Sequence, residues 1–348
     1  LRVALVHYWL NGMRGGEKVL ESLCRLLPQA DIFTLFYEPE RVSEMIRRHK
    51  VTASFLNPLR RFYRGLLPAM PWALESFDLR GYDLVISSES GPAKGVLVPS
   101  HARHVCYCHS PMRYLWELYP AYLHDWTQAP WKRACIAPVA SYLRLWDYAT
   151  AARVDRFVAN SANVQRRIQR AYRRDAEVIH PPVDVANFSC KPSEGYFLIV
   201  SELVAYKQID RAVQAGVKLK IVGDGPEFRR LRRMAGASVE FCGRVPDAEL
   251  RELYARCRAL LMPGEEDFGI AMVEALASGK PVVALGRGGA CEIVPAGGGV
   301  LYPEGGLRDA LREFDLIEAS IDPAVLQGHA AQFSEARFHE RMRAVLEL

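Results

Sequence analysis

Residues 263–292 constrain this chain more than any other stretch. The apolar run Ala259, Leu260, Leu261, Met262 stops at Pro263-Gly264 and is followed by three acids, Glu265, Glu266 and Asp267, and then by Phe268-Gly269. From Ile270 the apolar positions Ile270, Val273, Leu276 and Ala277 recur at helical spacing until Pro281, where 281–285 reads as a second buried strand. Strand, acidic turn, helix and strand make one βαβ unit. Ligands of such units sit at the carboxyl ends of the strands, where the first amides of a helix face anions. The amides of 269–271 are therefore placed for a phosphate, with Gly269 allowing close approach. Carboxylates beside a phosphate would repel it, so Glu266 and Glu274 are assigned to hydroxyl groups as acceptors.

The run Glu266-Asp-Phe-Gly-Ile-Ala-Met-Val-Glu274 resembles the Glu-x7-Glu motif of the retaining glycosyltransferases of family 4, which have the GT-B fold. Gly-Lys-Pro-Val-Val and Gly-Gly-Ala-Cys-Glu continue that resemblance. It implies an α/β protein of two doubly wound, Rossmann-like domains facing a cleft. The alternation of strands and helices through both halves argues for the same class. A length of 348 residues suits two domains. The expected boundaries are 1–189 for an acceptor-side domain, 190–330 for a nucleotide-sugar domain, and 331–348 for a helix crossing back onto the first. The polar, Pro- and Gly-bearing residues 189–195 are read as the linker.

Other segments extend the resemblance. Gly15-Gly16 follow the strand 3–6 and open a helix, a second anion-binding arrangement; GGEKVL resembles the family's GGAERV loop beside the donor pyrophosphate. Residues 108–116, CHSPMRYLW, follow the strand 104–107 and resemble the HSPxRYLW segment of members regarded as mannosyltransferases. The resemblance puts His109 near the transferred sugar. Asn160-Ser161 resemble the family's ANSxxV segment. Lys207 matches the lysine that meets the donor diphosphate, but Glu202 stands where many relatives carry an arginine. Gly223-Asp224-Gly225-Pro226 resemble the turn beside the nucleotide; Phe228 breaks any G-x-G-x-x-G fingerprint. Backbone near Arg244 is where such enzymes hold the base.

The implied catalytic set is His109, Glu266 and Lys207. The implied donor-binding set is Gly15, Gly16, Lys207, Gly223, Gly225, Arg244, Glu266, Phe268, Gly269, Ile270, Ala271 and Glu274. The expected reaction moves a hexose, by preference mannose from GDP-mannose, to a hydroxyl of a glycan or lipid-linked acceptor in polysaccharide or lipopolysaccharide synthesis. A UDP-sugar-dependent transferase and a GT-B nucleotide-sugar epimerase are the alternatives. No cofactor is implied, and the lack of an Asp-x-Asp triplet points to metal independence.

Charge adds a location. Residues 1–189 hold 25 Lys/Arg against 17 Asp/Glu, a balance of +8; the remainder holds 20 against 23, or −3. Within 41–67, Arg41, Arg47, Arg48, Lys50, Arg60, Arg61 and Arg64 face only Glu44. Leu59, Phe62, Tyr63, Leu66 and Leu67 have helical spacing, so 55–67 reads as a basic amphipathic helix. It is either peripheral on an anionic membrane or packed in the first domain. No nucleic-acid-binding module surrounds it. Tyr122, Trp126, Trp131, Tyr142 and Trp146 are read as an acceptor platform, a lipid-facing lid or helix core. No apolar run approaches the ~20 residues of a spanning helix, and the strand from Val3 leaves no room for a signal peptide. Eight scattered cysteines without metal spacing read as buried thiols of a cytoplasmic protein, peripheral on the inner face of its membrane.

Overall fold

In a computed structural model the chain divides into two compact units, Leu1–His180 with His339–Leu348, and Pro181–Phe338. The structure describes every residue except Gln128, and every side chain except those of Gln128, Arg64, Ala121, His124, Asp125 and Trp126. The expectations for Arg64 and Trp126 therefore lie outside the described side chains.

The first unit holds a seven-stranded sheet of β1 (Val3–His7), β2 (Asp31–Thr34), β3 (Val51–Ala53), β4 (Leu84–Glu89), β5 (Arg103–Cys108), β6 (Arg156–Ala159) and β7 (Ala176–Val178). All pairs are parallel, in the order β3-β2-β1-β4-β5-β6-β7. The second holds β8 (Phe197–Val200), β9 (Leu219–Val222), β10 (Val239–Gly243), β11 (Ala259–Met262), β12 (Val282–Leu285) and β13 (Gly299–Tyr302), in the parallel order β10-β9-β8-β11-β12-β13. Helices cover both faces of such sheets, which is why β1, β4, β11 and β12 are buried along their whole length; β11 and β12 are apolar throughout, whereas β1 ends in His7 and β4 in Ser87, Ser88 and Glu89. β1 and β8 each lie between a sequential neighbour and a strand reached by a long crossover. The switch points are thus β1/β4 and β8/β11, and the crevices beyond their carboxyl ends are where doubly wound sheets take ligands.

Several expectations change. The units part after His180, not at 189, because the segment after Pro182 joins the second unit. Val183 donates its amide to Phe333 O at 2.9 Å, and Val183, Val185 and Phe188 pack on that unit's core. The chain returns within the helix Glu335–Leu346, whose end is tied to the first unit. His339 Nε2 meets Ser22 Oγ at 2.9 Å, and Arg103 pairs with Glu347 at 2.6 Å. The amphipathic α-helix expected at 55–67 is instead a 3₁₀ segment, Asn57–Ala69, kinked at Phe62. Pro68, inside the segment, removes an amide that a continuing α-helix needs, whereas Pro58 sits in the first turn. Tyr63, Leu66 and Leu67 pack against the core, while Leu59 and Phe62 face outward. Residues 130–150, noted only for their aromatics, form one helix, Pro130–Thr150. Cys24, Cys106, Cys108 and Cys257 are buried as expected, whereas Cys135, Cys190 and Cys291 are exposed.

Candidate active site

In the second unit the loop after β8 and the loop after β11 meet beyond the switch point. The first carries Glu202 and the turn Ala205–Lys207; the second carries 263–269. A Cβ on Gly264 would lie 2.6 Å from Lys207 Cα, so only glycine lets the two backbones pack this closely. That contact brings Lys207 Nζ onto Glu266 Oε1 in a largely buried ion pair. Glu266 is fixed from the other side as well: its carbonyl accepts the amide of Gly289 at 2.9 Å, and it bridges to Gly288. The acidic turn, the lysine and the Gly288-Gly289 tail are therefore one assembly.

Gly269 caps the helix Ile270–Ala277 at φ 101°, a left-handed conformation suited to glycine. The amides of Ile270 and Ala271 occupy the first turn, where a helix has no internal acceptor for them. Glu274, one turn on, is buried and accepts from Tyr254 OH at 2.8 Å. Burial and the neighbouring Glu274 carboxylate push the Tyr254 phenol well above its usual pKa, so it stays a donor. Phe268 sends its ring into the core, 5.7 Å from that of Phe333, which leaves only its backbone to face a ligand. Gly223-Asp224-Gly225 form the turn after β9, held by the amide of Leu203 on Asp224 O at 3.0 Å. Arg244, beyond β10, is exposed, as is Glu202.

In the first unit His109 follows β5 and its amide donates to Glu89 O at 2.6 Å. Its Nε2 meets Ser88 Oγ at 2.9 Å, and a Cβ on Gly16 would be 3.6 Å from that same nitrogen. Gly15 and Gly16 open the helix Gly15–Leu26. Burial lowers the His109 pKa to about 4, so the imidazole is neutral near pH 7. His7 ends β1 in register with Ser88; burial, then His109, lowers its pKa well below the ordinary value. Both its ring nitrogens, Glu17 Oε1 and Ser110 Oγ are buried without a hydrogen-bond partner among the described residues. Unsatisfied polar atoms gathered at the end of one sheet are costly and mark a place built for polar contacts.

Sequence reasoning thus missed His7, Ser88, Tyr254 and Gly264. His7 had a signal, a histidine at the end of the opening strand; the others are defined only by what the fold brings to them. Among the described residues, no three His, Cys, Asp or Glu stand together as a metal cage.

The chain matches two family models, "Glycosyltransferase Family 4" over residues 13–187 and "Glycosyl transferases group 1" over 192–314. It is 38% identical over 121 residues to a GDP-mannose-dependent alpha-mannosyltransferase of Mycobacterium tuberculosis, covering 33% of this chain and 31% of that one. It is 28% identical over 130 residues to the sulfoquinovosyl transferase SQD2 of Arabidopsis thaliana, covering 36% and 26%. The matches thus span about a quarter to a third of these relatives' lengths. Among solved structures, the Anabaena protein Alr3699/HepE in complex with UDP-glucose superposes with a TM-score of 0.73 at 18% identity, covering 100% of both chains. The lipopolysaccharide outer core galactosyltransferase WaaB superposes at 0.68 and 17%, covering 100% of this chain and 99% of that one. At these identities the superpositions establish the fold. Together with the family matches, they place the chain in glycosyltransferase family 4, a retaining family of the GT-B fold.

Proposed function

We propose that this enzyme moves a hexose from a nucleoside-diphosphate sugar to an acceptor hydroxyl with retention, and that the donor is GDP-mannose. The observation that carries the reading is the Lys207–Glu266 pair beyond the β8/β11 switch point, beside the first turn of Ile270–Ala277. Donor entry separates the pair. The ammonium turns to the diphosphate, and the freed carboxylate accepts hydrogen bonds from sugar hydroxyls. Glu274, held by Tyr254, takes the ribose hydroxyls, and the amides of 269–271 face the phosphates. The anomeric C–O bond to phosphate breaks as the acceptor oxygen bonds to the same face, and the acceptor proton passes to the departing phosphate oxygen. The protein supplies position and charge stabilisation. In the first unit, the amides of Gly15 and Gly16 at the start of Gly15–Leu26 suit an anion, and the neutral His109 beside them suits a hydroxyl.

Support for mannose comes from residues 108–116 and from the mycobacterial relatives, whose names specify GDP-mannose. The UDP-glucose complex of Alr3699/HepE keeps a UDP-sugar as the second reading. We further propose a glycan or lipid-linked acceptor, met at the inner face of the cytoplasmic membrane. Incubating the protein in EDTA with GDP- and UDP-sugars, with and without lipid extract, tests the whole reading. Acceptor-dependent GDP release from GDP-mannose is expected. Release only from a UDP-sugar moves the donor to the second reading, and interconversion of the free sugar nucleotide without acceptor overturns transfer.

A further inference from the structure

The first unit exposes large apolar side chains on two neighbouring elements. On the segment running from the 3₁₀ turns Asn57–Ala69 into the helix Met70–Glu75, Leu59, Phe62 and Trp72 are 50, 71 and 69% exposed, and the Phe55 ring lies tilted against that of Trp72, 4.6 Å between centroids. On the helix Pro130–Thr150, Trp131, Tyr142, Leu145 and Tyr148 face outward, with Trp131 at 67% and Leu145 at 68%. The two elements lie side by side. Leu67 packs against the cluster of Met112, Leu115, Ala140 and Leu143, and Trp146 Nε1 donates to Glu75 Oε1 at 3.1 Å. Surfaces this apolar are seldom left bare in a monomer in water.

Charge says what covers them. From residue 51 to 74 there is no Asp or Glu, and from 130 to 146 there is none either. Arg60, Arg61 and Lys132 are exposed on those elements. The acids that end the two runs are both paired with cations, Glu75 with Arg153 at 2.7 Å and Asp147 with Lys94, and Asp147 is also fully buried. Among the described residues, the two runs thus present apolar, aromatic and cationic side chains and no carboxylate of their own. A second copy of this chain would set cations against cations across a two-fold axis. An anionic bilayer complements every part of this surface. Aromatic rings settle at the headgroup level, aliphatic tips enter the acyl boundary, and arginines reach the phosphates. No helix among the described residues is long and apolar enough to cross a membrane, so the contact is peripheral.

We infer that this face, formed by residues 55–72 and the outer side of Pro130–Thr150, docks the enzyme on an anionic phospholipid bilayer. This gives the membrane part of the proposed function its surface and rests on that part alone, independent of the sugar chemistry. It also corrects the expected geometry: the docking element is not one amphipathic helix but two adjoining segments.

Flotation with vesicles of phosphatidylglycerol and phosphatidylethanolamine, against vesicles of phosphatidylcholine alone, tests it without donor or acceptor. The protein is expected to float with the anionic vesicles only, and less as salt rises. Arg60→Gln with Arg61→Gln should weaken partition about tenfold or more, as two cations near an anionic surface contribute. Leu145→Ser with Tyr142→Ser should weaken it independently, on the other element. All four residues are exposed, so thermal melting should match the unmodified protein and confirm an intact fold. A protein that stays with the pellet, flotation untouched by either pair, or an apolar face occupied by a second copy in sedimentation would each overturn the inference. Absence of glycosyl transfer would leave flotation unchanged, so the two readings fail separately.

Discussion

At the scale of single residues, the second unit's site is a set of opposed charges held by glycines. Lys207 and Glu266 neutralise each other in a spot too buried to leave either alone. Glu274 is different: it is buried and its carboxylate accepts from an uncharged donor, Tyr254 OH. Glu274→Ala removes a charge-assisted hydrogen bond worth ~1.5–3 kcal/mol. Donor affinity measured by calorimetry should fall by about ten- to hundredfold, and unchanged affinity would take Glu274 out of the donor site. These acids were readable because Glu266, Phe268, Gly269 and Glu274 are close in sequence and their spacing is itself the signal. Tyr254 and Ser88 were not readable. Tyr254 meets Glu274 across 20 positions and Ser88 meets His109 across 21, and nothing in their own neighbourhoods marks them.

At the scale of elements, burial on both faces made most strands visible as short apolar runs, while β2, β3, β7 and β13 escaped notice. β3 and β7, Val-Thr-Ala and Ala-Glu-Val, each half-buried at an edge of the sheet, lack a continuous apolar run. The 3₁₀ segment was misread because its apolar spacing is helical while its prolines are not. The helix Pro130–Thr150 was obscured by a different cause, since its outer side is as apolar as its inner one. What anchors it is a buried cluster that composition cannot reveal. Lys94 Nζ lies between Glu89 Oε1, at 2.9 Å, and Asp147, all three fully buried. Trp116 Nε1 and Tyr172 OH also donate to Asp147 Oδ2, at 2.7 and 3.0 Å. Burial works against the charge on Lys94, but Asp147 and Glu89 outweigh it and raise its pKa. The cluster therefore ties the helix to the end of β4 and to the segment that begins at His109. Lys94→Met would strand two carboxylates in the core, at a cost of ~3–5 kcal/mol. Urea unfolding should show that loss, and adding Glu89→Gln and Asp147→Asn should recover part of it. A Lys94→Met protein as stable as the parent would mean that the cluster is already protonated and bears no such tension.

At the scale of the whole molecule, several buried groups give stability a pH dependence: Glu17 and Glu89 are raised to about 7, which favours low pH, and His109 is lowered to about 4, which favours high pH. Glu17 is fully buried in the first turn of Gly15–Leu26. Its Oε2 accepts the Arg14 amide at 3.1 Å, and Oε1 has no partner among the described residues. A helix N-terminus favours a carboxylate, yet burial wins and raises the Glu17 pKa from 4.5 to about 7. The sign follows from which state holds the proton. Between those values the folded chain keeps on Glu17 a proton that the unfolded chain has released, so the Glu17 contribution to stability falls as pH rises through the window and levels off above about 7. The full shift corresponds to ~3 kcal/mol, a sizeable part of the ~5–15 kcal/mol that holds a folded domain together. Glu17→Gln keeps the shape and the amide contact but cannot ionise. Its stability relative to the parent should therefore improve by about 2–3 kcal/mol between pH 5 and pH 8, read from urea midpoints of the first unit's transition. Parallel pH profiles for the two proteins would show that Glu17 is ionised in the fold at both ends of that range. Burial alone would then not be the force that sets its charge.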